Sequence, residues 1–403
     1  MKLSKLSQLF LVSAIGMILA IYLTACQLVS IDYVFVAASG GSTAGSTGQI
    51  YTYAADAGSG ALRQGAPTVP SGGSSPVAMA VNSDYSDLYV ANQGNSSVVH
   101  FAIASNGVLT QKDTITTATT PVSLAVNPAG TYLYVITGTA SATLTEYALS
   151  SGAIGSPTAQ AGLTVPGYGG DTILPTGVNV LANGDDVYVA AYDKSAYNPG
   201  GATSSNANPG WLFGFAVGSS GGLTATTGSP YQAGVKPSAI TSDPTNRFVY
   251  VTDFASSELI GYTIQSGGVL DFLVNGPFKT GNEPTSLVID PRGIYIYLTN
   301  SLDSTVSAYT IALPTGTPSV VVSTTGSQLN GTDTQPVSVV VDPSLGRYVY
   351  TANHLGNSVS GFRLDPNSGA LNTTQATPYP TGESPTAILA VPHGNHAIQT
   401  VTP

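Results

Sequence analysis

Hydrolytic chemistry near neutral pH needs a group that takes a proton from water and a cation or donor that holds the developing oxyanion. The chain offers few of either: four histidines, His100, His354, His393 and His396, and charged residues making up only 8% of 403. Asp253, Glu283 and His354 flank repeated apolar segments and are the candidates to activate water, with Lys236 the candidate to hold negative charge. Asn92, Asp253, Asn300 and Asn353 each close a stretch of alternating apolar residues, and Asn300 and Asn353 are taken as candidate ligand contacts. Tyr192, Asp193 and Trp211, the single tryptophan, bracket a Gly/Asn/Ser-rich insertion and are further ligand-binding candidates. His393 and His396 are close enough to suggest a metal, but their turn context lacks a paired carboxylate, so no metal site is expected. No phosphate loop, calcium loop or Gly-x-Ser-x-Gly elbow is present, and no cofactor is expected.

The elements that must position these residues repeat. Pro76, Pro121, Pro175, Pro237, Pro284, Pro336 and Pro385 are spaced 45 to 62 residues apart, and each opens an apolar stretch. A turn follows, read from Asn127-Pro128, Asp243-Pro244, Asp290-Pro291 and Asp342-Pro343, where Asp or Asn accepts backbone hydrogen bonds and proline presets φ. Next come alternating runs such as Tyr132-Leu-Tyr-Val135 and Tyr295-Ile-Tyr-Leu298, then a third strand and a Ser-Gly-x-Leu-like turn into a fourth. Proline lacks an N–H, so it can open a strand but not sit centrally in one. A four-stranded unit at this period is a β-propeller blade. The seventh unit lacks its outer strands, while unmatched strands begin at Tyr33-Val-Phe-Val36 and Ile50-Tyr-Thr-Tyr53. The expectation is an all-β, seven-bladed β-propeller closed by a composite blade, with Thr386–Val391 as inner strand and amino-terminal segments outside it. Closure of this kind leaves no open sheet edge.

Residues 1–25 read as an export signal: Lys2 and Lys5, an apolar stretch from Leu9 to Tyr22, then Leu23-Thr-Ala-Cys26. That segment resembles a bacterial lipobox, and Cys26, the only cysteine, is the expected lipidation site. An uncleaved membrane helix over Leu6–Leu23 is the alternative. Either reading makes the membrane a partner and exports residues 26–403 as one domain; Gln27 after the cysteine favours the outer membrane. One cysteine allows no internal disulfide. Without Lys2 and Lys5, nine basic residues face 21 acidic ones, which excludes phosphate-backbone binding and makes nucleic acid an unexpected partner.

The repeat resembles the lactonase and YVTN family of seven-bladed propellers, which includes 6-phosphogluconolactonase-like proteins, over about residues 31 to 403. Asp365-Pro-Asn-Ser-Gly-Ala-Leu371, echoed by Asp56-Ala-Gly-Ser-Gly-Ala-Leu62, carries the resemblance best. It implies a sugar-lactone hydrolase. Lactonase members place histidines just after the blade-opening proline, whereas here the positions read Pro121-Val-Ser, Pro237-Ser-Ala and Pro284-Thr-Ser. That departure makes the leading expectation a non-catalytic envelope module. It would bind an unidentified protein, glycan or small molecule on the loop-rich face, with lactone hydrolysis as the alternative and a structural cell-surface role as a third reading.

Overall fold

The computed structural model describes residues 29–40, 46–139, 141–166, 172–197, 208–322 and 329–393. The expected signal segment, Cys26, His396 and part of the insertion between Asp193 and Trp211 lie outside them.

Seven antiparallel sheets surround a central axis. Blade 1 is the composite: its inner strand is Pro385–Pro392, and Ser30–Ala38, Thr47–Asp56 and Leu62–Ser74 lie outside it. Val34 pairs with Ala390 and Phe35 with Leu389, so the two ends of the chain share one ladder. Blades 2 to 7 have inner strands at Pro76–Val81, Pro121–Val126, Ile173–Val180, Pro237–Ser242, Pro284–Ile289 and Pro336–Val341. The expected fold and its composite closure are therefore present.

Each repeated residue type has a distinct task. The Asp-Pro turns are closed by their own carboxylates: Asp290 Oδ1 accepts the N–H groups of Ile294 (2.9 Å) and Tyr295 (2.8 Å), and Asp243 does the same for Arg247 and Phe248. In the Tyr-Val-Tyr runs, the second tyrosine reaches the next blade. Tyr89, Tyr188, Tyr250, Tyr297 and Tyr350 donate their hydroxyls to the carbonyls of Gly152, Gly268, Gly316, Gly369 and Gly60. The residue two positions before it packs its side chain on the same glycine. A Cβ on Gly369 would stand 2.4 Å from the Tyr295 ring, and the positive φ of 74° there already favours glycine. Where blade 3 meets blade 4 the pattern changes: Tyr134 donates to the buried Glu146 carboxylate, which also accepts the N–H of Gly222.

Two features differ from expectation. The outer strands of blades 4 to 7 are split in two, as in Leu270–Phe272 and Phe278–Lys279, which both pair with Glu258–Ile264. In blades 4, 5 and 7, Pro230, Pro277 and Pro378 stand just before the second pieces, where a missing N–H interrupts a ladder. In blades 2 to 7, the register also slips between the opening proline and the residue two further on, a β-bulge in every inner strand. Bulges re-aim side chains, and here they turn the residue after the proline sideways. Ser238 donates to the Pro284 carbonyl at 2.6 Å, Thr285 to that of Pro336 at 3.0 Å and Thr386 to that of Pro76 at 2.7 Å.

Candidate functional site

The inner strands begin on one face, called upper here, and the loops after the second strands open on the same face. Each blade ties these two together: Phe254 N–H donates to the Lys236 carbonyl, Ser301 to that of Glu283 and His354 to that of Gln335. The mouth of the axial channel is thus lined by residues just before the opening prolines and just after the second strands. A cavity of about 540 Å3 occupies it, with Tyr192, Lys194, Lys236, Phe254 and Gln93 in its wall.

Lys236 is the centre of this cavity's chemistry. Its ammonium lies 4.3 Å from the centroid of Phe254, 5.0 Å from Tyr197 and 5.6 Å from Tyr192. The two tyrosines meet edge to face at 5.7 Å. Rings this close attract the cation through their quadrupoles, and they also strip water from it. Burial lowers the Lys236 pKa from its ordinary value, and the nearby Glu283 carboxylate opposes that shift. Burial first, and then Asp253 and Glu283, raises the Tyr197 pKa. Glu283 is half-buried, at the equivalent position of the neighbouring blade. Its φ of 53° is shared by Ser75, Gln335 and Ser384, which also precede opening prolines, so the left-handed backbone belongs to the fold rather than to the site.

Among the candidates, Lys236 and Tyr192 line the cavity and Glu283 stands beside it. The others do different work. Asp253 is fully buried: Oδ2 accepts the Val235 N–H at 2.7 Å, and Oδ1 accepts those of Lys236 at 3.0 Å and Ala255 at 3.1 Å. It clamps two loops and has no free oxygen to activate water. Asn300 is buried and donates to Thr305 and Ser307, and Asn353 to Ser358 and Ser360, so their amides hold turns rather than face a ligand. Asp193 is buried too, accepting both the N–H and the hydroxyl of Ser195. Trp211 packs against the apolar cluster between blades 3 and 4. His354 Nδ1 lies 3.1 Å from the Pro385 carbonyl and must donate to it, because a carbonyl only accepts. Val337 follows the proline of that blade and carries no hydroxyl, and His354 makes the bond to the next blade's proline that Ser238, Thr285 and Thr386 make elsewhere. Phe254, Gln93 and Lys194 were not singled out from the sequence. Phe254 was findable, since it follows Asp253 just as His354 follows Asn353.

The family description that matches is Lactonase, 7-bladed beta-propeller, over residues 45–167 and 220–398. The chain belongs to this family. Among solved structures, it is similar to a periplasmic gluconolactonase of Pseudomonas aeruginosa, with a TM-score of 0.73 at 17% identity, covering 91% of this chain and 100% of that one. A putative 6-phosphogluconolactonase of Bacteroides fragilis gives a TM-score of 0.70 at 18% identity over 91% and 99% of the two chains. At such identities the likeness is one of fold. No curated protein sequence matches the chain.

Proposed function

We propose that this propeller hydrolyses a sugar lactone at the upper mouth, with Lys236 and Glu283 as its reacting pair. Family membership favours this over the expected non-catalytic module. The observation that carries the reading is a partly desolvated ammonium that feels a neighbouring blade's carboxylate, at the mouth of a cavity large enough for a small ring. Glu283 would take a proton as water attacks the lactone carbonyl. Lys236 would stabilise the oxyanion of the tetrahedral intermediate, more strongly for being partly shielded from water. Collapse would break the ring C–O bond and return the proton to the leaving oxygen, giving the open hydroxy acid. The family histidine positions hold residues such as Ser238, Ala239, Thr285 and Ser286, so the pair would have to replace them.

Those same residues support a second reading, binding without turnover, because the channel wall below the mouth carries hydroxyls and small side chains. Alkali uptake at constant pH, with glucono-δ-lactone as substrate and spontaneous opening subtracted, separates the two. Hydrolysis should exceed background and fall about 10²-fold or more in Glu283→Gln, the scale of a lost general base. Saturable binding without turnover would instead establish the second reading.

A further inference from the structure

Resting on the lactonase reading, we infer that the mouth selects a neutral, unphosphorylated lactone and discriminates against a phosphorylated one. A phosphate monoester carries a charge of about −1.5 to −2 near neutral pH and is usually held by arginine forks, several cations or a helix N-terminus. Among the described residues, the cations in the cavity wall are Lys194 and Lys236. In the lactonase reading Lys236 serves the lactone carbonyl from among three rings, and the nearby Glu283 carboxylate would repel a phosphate brought to it. Asp193 and Asp253 are buried directly behind the same loops.

The arginines are elsewhere. Arg247, Arg292 and Arg347 follow the Asp-Pro turns on the lower face, and Arg63 and Arg363 lie at the lower ends of their strands. Arg247 Nε is held by Asp243 at 2.8 Å and Arg292 Nε by Asp290 at 2.7 Å, while Arg63 donates to Ser30. Lys279 pairs with Glu258 on an outer strand, and Lys112 is on the outer strand of blade 2. The stretches 41–45, 140, 167–171, 198–207 and 323–328 contain no lysine or arginine in the sequence, so none of them can bring a cation to the mouth. The net charge of −10 adds a long-range field that repels a dianion.

The test compares kcat/KM for glucono-δ-lactone and 6-phosphoglucono-δ-lactone. The neutral lactone should be favoured at least 10-fold at low ionic strength, with the gap narrowing as salt screens the field. Gln93→Arg adds a cation to the cavity wall and should raise kcat/KM for the phosphorylated lactone relative to that for the neutral one. Equal rates, or preference for the phosphorylated lactone, would overturn the inference while leaving the hydrolase reading intact. Turnover of neither would overturn both.

Discussion

The hydroxyl of Tyr297 donates to the carbonyl of Gly369 across the seam between blades 6 and 7, at 2.9 Å with both groups buried from solvent. The same bond recurs from Tyr89, Tyr188, Tyr250 and Tyr350, so the ring of blades is held by a repeated tyrosine–glycine contact as well as by apolar packing. Tyr297→Phe strands a buried carbonyl and should cost about 1–3 kcal/mol. Gly369→Ala should cost at least as much, because an L side chain at positive φ is strained and its Cβ would overlap the Tyr295 ring. Urea unfolding measures both. Wild-type stability in either variant would show that the seam does not depend on this contact.

Closure of the ring depends on the shared ladder of blade 1. Deleting residues 386–403 removes the inner strand and leaves Ser30–Ala38 and its neighbours without their axial partner. Cooperative thermal unfolding should be lost. A sharp transition at the wild-type temperature would mean the two ends contribute nothing to each other.

The same closure carries a pH dependence. Asp32 is buried where blade 1 meets blade 7. Burial, and next the Asp342 carboxylate, raise its pKa well above the ordinary value, against a hydroxyl bond from Ser344. The folded state therefore binds this proton more tightly than the unfolded state. The stabilisation is complete below the unfolded pKa of about 4 and is lost as pH rises through the folded value. Asp32→Asn keeps the neutral form at every pH, so its melting temperature should decline less than the wild-type value as pH rises from about 4 towards neutrality. Parallel pH profiles would exclude Asp32 as the source.

What the sequence made legible was local. Asp290 and Asp342 announce turns because their carboxylates bond residues only a few positions on, and the prolines announce strand starts because the missing N–H acts at its own position. The composite blade was legible because strands unmatched at one end answered a deficit at the other. The site was harder to read. Asp253, Asn300 and Asn353 look like mouth residues by position, yet their side chains turn inward to satisfy loop groups, which depends on how each loop folds back. His354 has the type and position of a possible base, but its ring serves the next blade's Pro385 because the residue at position 337 is valine. That exchange joins residues far apart in the chain and leaves no local trace.

The most direct test of the account is steady-state hydrolysis of glucono-δ-lactone by Lys236→Met beside the wild type. Methionine keeps the apolar stem among Tyr192, Tyr197 and Phe254 and removes the charge. If Lys236 holds the oxyanion, kcat should fall about 10²- to 10³-fold with KM little changed and the melting temperature preserved. Hydrolysis at the wild-type rate in a folded Lys236→Met protein would contradict the account and place the chemistry elsewhere on the propeller.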